Sequence, residues 1–265
     1  MTMNKTMKGQ TAFVCGASKG IGEATAIELS KKGVTTILLA RNKEDLDGTI
    51  NKLDTSLGQD HKQIIADFSN PSDLEKKVNF FLSTFNSDVE ILINNTGGPK
   101  PGPIINASSS DFINTFNQHL ICNHILVNCL IPRMKKASYG RIINIISTSV
   151  KQPIKGLGVS NTIRGAVASW SKTLSFELGE FGVTVNNVLP GFTDTERLNE
   201  IFEKKSKSSG IDIESIIIEA QTQIPLKRFA SPSETAKAIC FLASPDADYI
   251  NGVNLPVDGG RLQTL

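Results

Sequence analysis

Two polar side chains on one predicted helix, Ser160 and Arg164, are the first candidates for chemistry in this sequence. They are four residues apart, so they share a helix face beside an apolar stripe that includes Val159 and Ile163. A serine hydroxyl is too weak an acid to transfer a proton easily alone, whereas a guanidinium stays protonated and donates several hydrogen bonds. The pair is therefore better suited to binding a ligand than to moving a proton.

A second candidate is the glycine-rich stretch CGASKGIG at residues 15–22. It follows the apolar run TAFVC and opens a helical pattern. Glycines let such a turn bring backbone N–H groups close to a phosphate, and the helix N-terminus favours the negative charge. The spacing G-x-x-x-G-x-G departs from the commonest dinucleotide fingerprint, but the position between strand and helix predicts a phosphate site.

Apolar runs of strand length alternate with longer helical patterns along the chain. Strands are predicted at 11–15, 35–40, 62–66, 89–94, 140–147, 183–189 and 252–257, and helices near 20–32, 43–56, 71–86, 109–136, 159–181 and 232–243. Short apolar runs between helices are typical of strands buried on both faces. We therefore predict an α/β fold, a single domain spanning 1–265 with a doubly wound parallel sheet of about seven strands.

Composition narrows the function classes. The chain has 265 residues and a formal net charge of +2, which does not favour nucleic acid or an anionic membrane as a partner. Its four cysteines form no CxxC pair and are typical of reduced thiols in a cytoplasmic protein, and no metal site is predicted. The apolar piece near the N-terminus is too short for a signal-peptide core or a membrane span.

Several ordered motifs resemble those of the short-chain dehydrogenase/reductase family, nearly end to end. They are GASKGIG in the glycine turn, NNTG at 94–97, LPGFTDT at 189–195 and the long C-terminal stretch 224–260. The resemblance, closest to 3-oxoacyl-ACP reductase-like members, implies a Rossmann-like fold and a nicotinamide dinucleotide. It also implies oxidoreductase activity on a carbonyl or alcohol substrate.

The resemblance also predicts the cofactor residues. Arg41, where NAD-preferring relatives usually carry an acid, and Lys19 are cations that suit the 2′-phosphate of NADP(H), although both could be solvated surface charges. Asp67 matches the partner of the adenine, with helix capping as the alternative. The full predicted set is Gly16, Ser18, Lys19, Gly20, Ile21, Gly22, Arg41, Asp67, Phe68, Asn94, Thr96, Gly97, Arg164, Pro190, Gly191, Thr193 and Thr195.

The family's catalytic set is Asn, Ser, Tyr and Lys, and this chain matches only the serine. Ser147 falls at that position, with Thr148 and Ser149 as close alternatives. The tyrosine position holds Ser160, the lysine position Arg164 and the asparagine position His119. Neither tyrosine of the chain, Tyr139 or Tyr249, lies where it could replace the missing phenol.

Three interpretations of this departure remain open. In the first interpretation the proton comes from His119, whose ordinary pKa near ~6.5 suits transfer at neutral pH, or from Lys155 in the loop before the helix. Alternatively, substrate or ordered water completes the relay. In the third interpretation the protein binds NADP(H) without redox chemistry, as a sensor or partner subunit.

The substrate is less well defined than the cofactor. Segment 196–226 lies where the family keeps a mobile substrate lid, and it clusters Lys204, Lys205 and Lys207. Such a cluster could attract an anionic or acyl-carrier-linked substrate, although lysine runs are more often only solvated. By family resemblance the helices near 109–136 and 159–181 imply a homotetramer or homodimer.

Overall fold

The computed structural model describes residues 7–264, in which one parallel sheet lies between two layers of helices. Its strands, β1 to β7 in chain order, are Thr11–Cys15, Thr35–Ala40, Lys62–Ile65, Ile91–Asn94, Gly140–Ile145, Val183–Pro190 and Asn254–Val257. Their order is β3-β2-β1-β4-β5-β6-β7, and every neighbouring pair is parallel. The predicted Rossmann-like, doubly wound fold is confirmed, and its strand order reverses between β1 and β4, where such sheets bind ligands.

Helices cover both faces of this sheet. Those of the described residues, α1 to α9, are Gly20–Ser30, Lys43–Ile50, Pro71–Thr84, Ser109–Phe116, Cys122–Ala137, Gly158–Leu178, Glu196–Ser209, Ile213–Thr222 and Pro232–Ala243. Side chains cap the N-termini of six of them: α2, α3, α4, α7, α8 and α9. At the start of α1 the N-cap residue is Lys19, which makes no capping hydrogen bond.

Alternation along the strands divides the core into two layers. Ile91 and Ile93 of β4 pack in the cluster beneath α1 and α9, whereas Leu92 packs in the cluster beneath α3 and α5. All three side chains are fully buried, as expected for a strand covered on both faces. A third layer of apolar contacts lies outside the sheet, between α7 and α8.

An asparagine ladder crosses the sheet through β4, β5, β6 and β7, and two of its members lie near the carboxyl ends of β4 and β5. Asn94 donates to Asn144, Asn144 to Asn187, and Asn187 to Asn254, over 2.8–3.0 Å. Asn144 also donates to Ser171 of α6, 3.2 Å away. Because the amides of one strand satisfy those of the next, the ladder fixes the strand ends that carry the loops of the cleft.

The predicted helix over 109–136 is in fact interrupted. A π-helical turn, Asn117–Ile121, separates α4 from α5, and the N–H of Cys122 donates to the carbonyl of Asn117. Side-chain periodicity does not distinguish one extra residue in a turn from a regular helix. The interruption places His119 in the wider turn.

The segment 196–226 is more regular than its sequence suggests. It forms α7 and α8, whose contact buries Leu198, Phe202 and Ile216 in a small apolar cluster with Phe192 and Phe229 around it. Within residues 7–264, no helix is long and apolar enough to cross a membrane.

Candidate active site

The glycine turn at the end of β1 has a backbone that only glycine allows. Gly16 has φ of 58°, and a Cβ there would lie 2.7 Å from Asn95 Nδ2. A Cβ on Gly22 would collide with the carbonyl oxygen of Gly16. Because nothing on a side chain occupies the N–H groups at the start of α1, the turn fits a phosphate.

Lys19 and Arg41, the two cations predicted to hold a 2′-phosphate, lie in the glycine turn and directly after β2. Lys19 Nζ lies 2.6 Å from Glu196 Oε2, and that contact raises the lysine pKa. Arg41 is exposed at the end of β2 and makes no ion pair within residues 7–264. Ser18, immediately before Lys19, is half-buried, and Ile21 packs on the core.

The residues predicted after β3 divide between cleft and core. Asp67 is half-buried and accepts from the N–H of Ser69 at 2.8 Å, while Asn70 is the residue that caps α3. The side chain of Phe68 is buried in the core beneath α3 and α5, so its predicted cofactor contact is limited to its backbone. The carbonyl of Phe68 accepts from Cys122 Sγ at 3.3 Å.

Asn94 ends β4, just before the loop predicted to contact the cofactor. It is 2% exposed, its Nδ2 donates to Asn144, and its Oδ1 is buried without a partner among the described residues. Its neighbour Asn95, which the motif match did not single out, holds the carbonyl of Gly16 at 3.4 Å. Thr96 is half-buried and Gly97 is exposed. Both contact His119 of the π-helical turn, Thr96 through its hydroxyl and Gly97 through its backbone.

The loop after β6 joins the nucleotide end to α7. Gly191 packs against the backbone of Asp258, where a Cβ would lie 2.7 Å away, and Pro190 precedes it at the end of β6. Thr193 is buried and its Oγ1 has no hydrogen-bond partner within the described chain. Thr195 caps α7 at the N–H of Leu198.

The three serine and threonine candidates after β5 differ in exposure. Ser147 is half-buried and its hydroxyl accepts from the N–H of Ser149 at 3.0 Å. Thr148 and Ser149 are buried, and Ser149 Oγ lacks a hydrogen-bond partner among the described residues. Ser147 is therefore the hydroxyl of this set best placed to meet a ligand. Ser160 is half-buried in the first turn of α6.

Arg164 is buried without a carboxylate. It is 9% exposed, and its one hydrogen bond to the described residues runs from Nη1 to the carbonyl of Ile145 at 2.8 Å. Nε is buried without a partner. Burial lowers the pKa of the guanidinium to about 10, so the group remains charged at neutral pH.

His119 lies beside this charge and is itself neutral. Its Nδ1 is 2.5 Å from Thr96 Oγ1, while Nε2 is buried without a partner within residues 7–264. Burial, together with the positive charge of Arg164, holds the pKa of His119 well below its usual value, against a smaller opposing effect of the Gly97 backbone. The premise that His119 titrates near neutrality is therefore wrong. The ring can donate or accept a hydrogen bond but is not an imidazolium acid at pH 7.

The remaining sequence candidates lie farther out. Lys155 is exposed in the loop before α6, in a groove beside Ile104 and Pro153. Lys204 and Lys207 are exposed on α7, and Lys205 pairs with Glu219 at 3.0 Å, so the lysine run forms a solvated face. The structure brings together Thr96, His119 and Arg164, and does not join the lysines to them.

Arg197, a residue that no sequence motif marked, connects α7 to the opposite wall of the cleft. Its Nη2 donates to the carbonyls of Gly98 and Pro99 at 3.4 and 3.1 Å. Its neighbour Glu196 meets Lys19 of the glycine turn. One helical turn thus contacts both loops that flank the sheet's switch point, and a contact between such distant segments has no local sequence signal.

A glycine turn lies at the switch point of the parallel sheet, with buried polar groups across the cleft, an arrangement typical of dinucleotide-dependent oxidoreductases. Residues 16–261 match the family model described as "Enoyl-(Acyl carrier protein) reductase". The chain belongs to the short-chain dehydrogenase/reductase family. The resemblance drawn from its motifs is confirmed.

Individual relatives agree with this assignment. The chain is 30% identical over 261 residues to NADPH-dependent reductase BacG of Bacillus subtilis (strain 168), covering 98% of this chain and 100% of that protein. It is 33% identical over 256 residues to 3-oxoacyl-[acyl-carrier-protein] reductase FabG of Rickettsia prowazekii (strain Madrid E), covering 97% and 98%. The L-sorbose reductase from Gluconobacter frateurii, solved with NADPH and L-sorbose, superposes with a TM-score of 0.92 at 30% identity, covering 99% and 100%. The chain is an oxidoreductase that uses a nicotinamide cofactor.

Proposed function

We propose that this protein reduces a carbonyl substrate with NADPH, or oxidises the corresponding alcohol, without a tyrosine acid. NADPH supplies a hydride when bound, and the developing negative charge then resides on the carbonyl oxygen. The glycine turn would hold the pyrophosphate, and Lys19 and Arg41 would hold the 2′-phosphate.

The observation that carries the proposal is the buried, charged Arg164 beside the cleft. A fixed positive charge in a water-poor site stabilises a developing alkoxide without reorganisation, which is a large source of rate enhancement. Ser147 would hydrogen-bond the same oxygen, and neutral His119 would orient the loop after β4 through Thr96. The alkoxide takes its proton from water that reaches it past Ser160, because no phenol stands in that place.

A second candidate function is NADP(H) binding without turnover. The neutral state of His119 favours it, since that state removes the best alternative acid from the chain. In this case the binding of NADP(H) at the nucleotide end would be unchanged, and only hydride transfer to a substrate would be lost.

One experiment separates the two functions. NADPH and NADH are titrated by nicotinamide fluorescence, and turnover is then measured on a panel of carbonyl compounds. Tight NADPH binding with turnover supports the reductase, and equal affinity for NADH contradicts the roles of Lys19 and Arg41. Binding without turnover, unchanged by a combined Ser160→Tyr and Arg164→Lys restoration, supports the binding-only function.

Matched variants test the proton route. Turnover that falls in His119→Ala but not in Lys155→Ala would assign the loss to the Thr96–His119 contact. His124→Ala is the histidine control, because His124 is exposed on α5 and contacts Trp170 instead of the cleft. Loss of turnover in Lys155→Ala alone would instead make that lysine the donor.

We also infer self-association, as a homotetramer or homodimer. α5 and α6 are the long helices implicated by the family resemblance, and Phe176 of α6 is 77% exposed in the single chain. Light scattering after size exclusion would give the mass, and a monomer at micromolar concentration would contradict the inference.

A further inference from the structure

We propose that the substrate carries a carboxylate close to its reacting carbonyl, as in a short oxo acid, and that Arg164 binds this carboxylate. The inference rests on the proposed reductase function and names its substrate class. It starts from the electrostatics of two buried arginines in the same chain.

Arg141 shows how this fold accommodates a buried guanidinium. It is 2% exposed, forms an ion pair with Asp248, donates to the carbonyls of Gly140 and Gly182, and lies 4.0 Å from the ring of Tyr139. Its charge is therefore balanced within the protein. A buried charge is costly unless a counter-charge and hydrogen bonds compensate it.

Arg164 has no such compensation. Only the Ile145 carbonyl accepts from it, no carboxylate of the described residues pairs with it, and Nε is buried and unsatisfied. His119 lies close enough for the charge of Arg164 to help lower the pKa of the imidazole, and a neutral ring offers the guanidinium no counter-charge. The site therefore lacks one negative charge.

The residue one turn before Arg164 leaves room for an anion to approach. Ser160 is half-buried, ends at Oγ and makes no hydrogen bond to the described chain. A tyrosine at this position would extend a phenol several ångströms farther along the shared helix face. The shorter side chain of Ser160 therefore leaves space that a phenol would fill, one turn from a guanidinium without a counter-charge in the described chain.

The chemistry of the cofactor does not supply the missing charge there. Its phosphates are assigned to the glycine turn and to Lys19 and Arg41, at the opposite end of the cleft, and the nicotinamide ribose is uncharged. A carboxylate matches a planar guanidinium through paired, charge-assisted hydrogen bonds. Because the proposed function also places the reacting carbonyl oxygen beside Arg164, the carboxylate must be bonded to the carbonyl carbon, so that the several N–H groups of one guanidinium meet both groups.

The decisive experiment compares two non-reducible probes of nearly equal shape. Oxamate carries a carboxylate beside an amide carbonyl, and oxamide replaces that carboxylate with a neutral amide. Binding of each is measured by calorimetry to the protein saturated with NADP⁺, and again with NADPH. We expect oxamate to bind at least about 10-fold more tightly than oxamide, in the range of a charge-assisted hydrogen bond.

Variants then show which side chain causes the preference for oxamate over oxamide. Arg164→Gln should abolish it, Arg164→Lys should retain part of it, and Ser160→Tyr should reduce it by filling the approach. Arg228→Gln is the charge control, because it removes the same charge from an exposed ion pair with Glu234 and should leave the oxamate to oxamide ratio within about two-fold. The wild-type ratio needs no variant, so a poorly folded mutant does not remove the test.

The outcomes separate this inference from the proposed function. Equal binding of both probes, or an oxamate preference that persists in Arg164→Gln, overturns it. Loss of NADPH affinity in Arg164→Gln with no preference in the wild type assigns the guanidinium to the cofactor alone and also overturns it. An Arg164-dependent preference supports the inference even if no carbonyl is turned over, whereas turnover of neutral ketones without any preference supports the reductase but not the oxo acid.

Discussion

The two ends of the cleft are built in different ways. The proposed nucleotide end, residues 15–22 and the end of β2, depends on backbone shape, with glycines that tolerate no Cβ and a helix terminus without a side-chain cap. The proposed catalytic end, with His119, Ser147, Ser160 and Arg164, depends on charge and burial. Backbone fit accepts few substitutions, whereas a site built on charge can exchange one side chain for another and change its chemistry.

The largest effect should come from the nucleotide end. In Gly22→Ala the new Cβ collides with the Gly16 carbonyl, so the turn must open and we expect NADPH binding to weaken by about 100-fold or more, at about 1.4 kcal/mol per tenfold. Fluorescence titration measures it. The control is Gly165→Ala in α6, where a Cβ meets nothing within 4 Å and the helix should gain about 0.5–1 kcal/mol. Unchanged NADPH binding in Gly22→Ala would show that the turn is not the phosphate site.

The next effect tests whether the catalytic end depends on the sheet beneath it. Asn144→Ala removes the centre of the asparagine ladder and leaves amides of Asn94 and Asn187 unsatisfied, so we expect unfolding to be easier by about 3 kcal/mol. Urea denaturation gives the value. Asn114→Ala on exposed α4 should stay within about 0.5 kcal/mol. Equal effects of the two substitutions would mean that the ladder contributes nothing.

A third prediction uses pH to separate His119 from the exposed histidine. Because the pKa of His119 is lowered in the folded protein, only the unfolded chain takes up this proton as the pH falls below about 6.5. Folding stability should therefore decline from that pH downward, by up to about 1.4 kcal/mol per pH unit, and this part should vanish in His119→Gln. Urea denaturation between pH 7.5 and 5 measures it, with His124→Gln as control. A wild-type slope that survives in His119→Gln contradicts burial of the neutral ring.

The smallest effect concerns the exposed contact between Lys19 and Glu196. If Lys19 holds the 2′-phosphate, Glu196 competes for it, and Glu196→Gln should tighten NADPH binding about two- to five-fold, because exposed ion pairs contribute about 0.2–1 kcal/mol. NADH binding should not change. Glu200→Gln, which removes the partner of Arg197 instead, is the matched control. Weaker NADPH binding in Glu196→Gln would mean that the carboxylate orients Lys19 for the phosphate.

The sequence predicted the fold and the position of the glycine turn, for a physical reason. Strand burial and the glycine turn are local, so apolar runs and glycine spacing report them directly. The cofactor roles of Asn94 and Phe68 stay predictions, and the structure adds that both side chains are buried. The sequence could not show this burial, because a motif match gives the position of a residue but not the direction of its side chain.

The catalytic end could be predicted only as a set of positions. The sequence placed His119 and Arg164 in the cleft, but the neutral state of one and the missing counter-charge of the other arise from burial and from contacts between distant segments. The bridge that Arg197 makes to Gly98 and Pro99 is non-local in the same way. Such properties require packing, which periodicity does not encode.

The π-helical turn between α4 and α5 lets the two parts of one continuous helix face different neighbours. Because the π-helical turn holds one extra residue, the side chains before it are rotated about the helix axis relative to those of α5. His119 can then be aimed inward while Leu126, Leu130 and Met134 keep their places against the sheet. Deleting one residue from Asn117–Ile121 would restore ordinary winding and swing the imidazole about a quarter turn away, with the layer beneath α5 left in its original register.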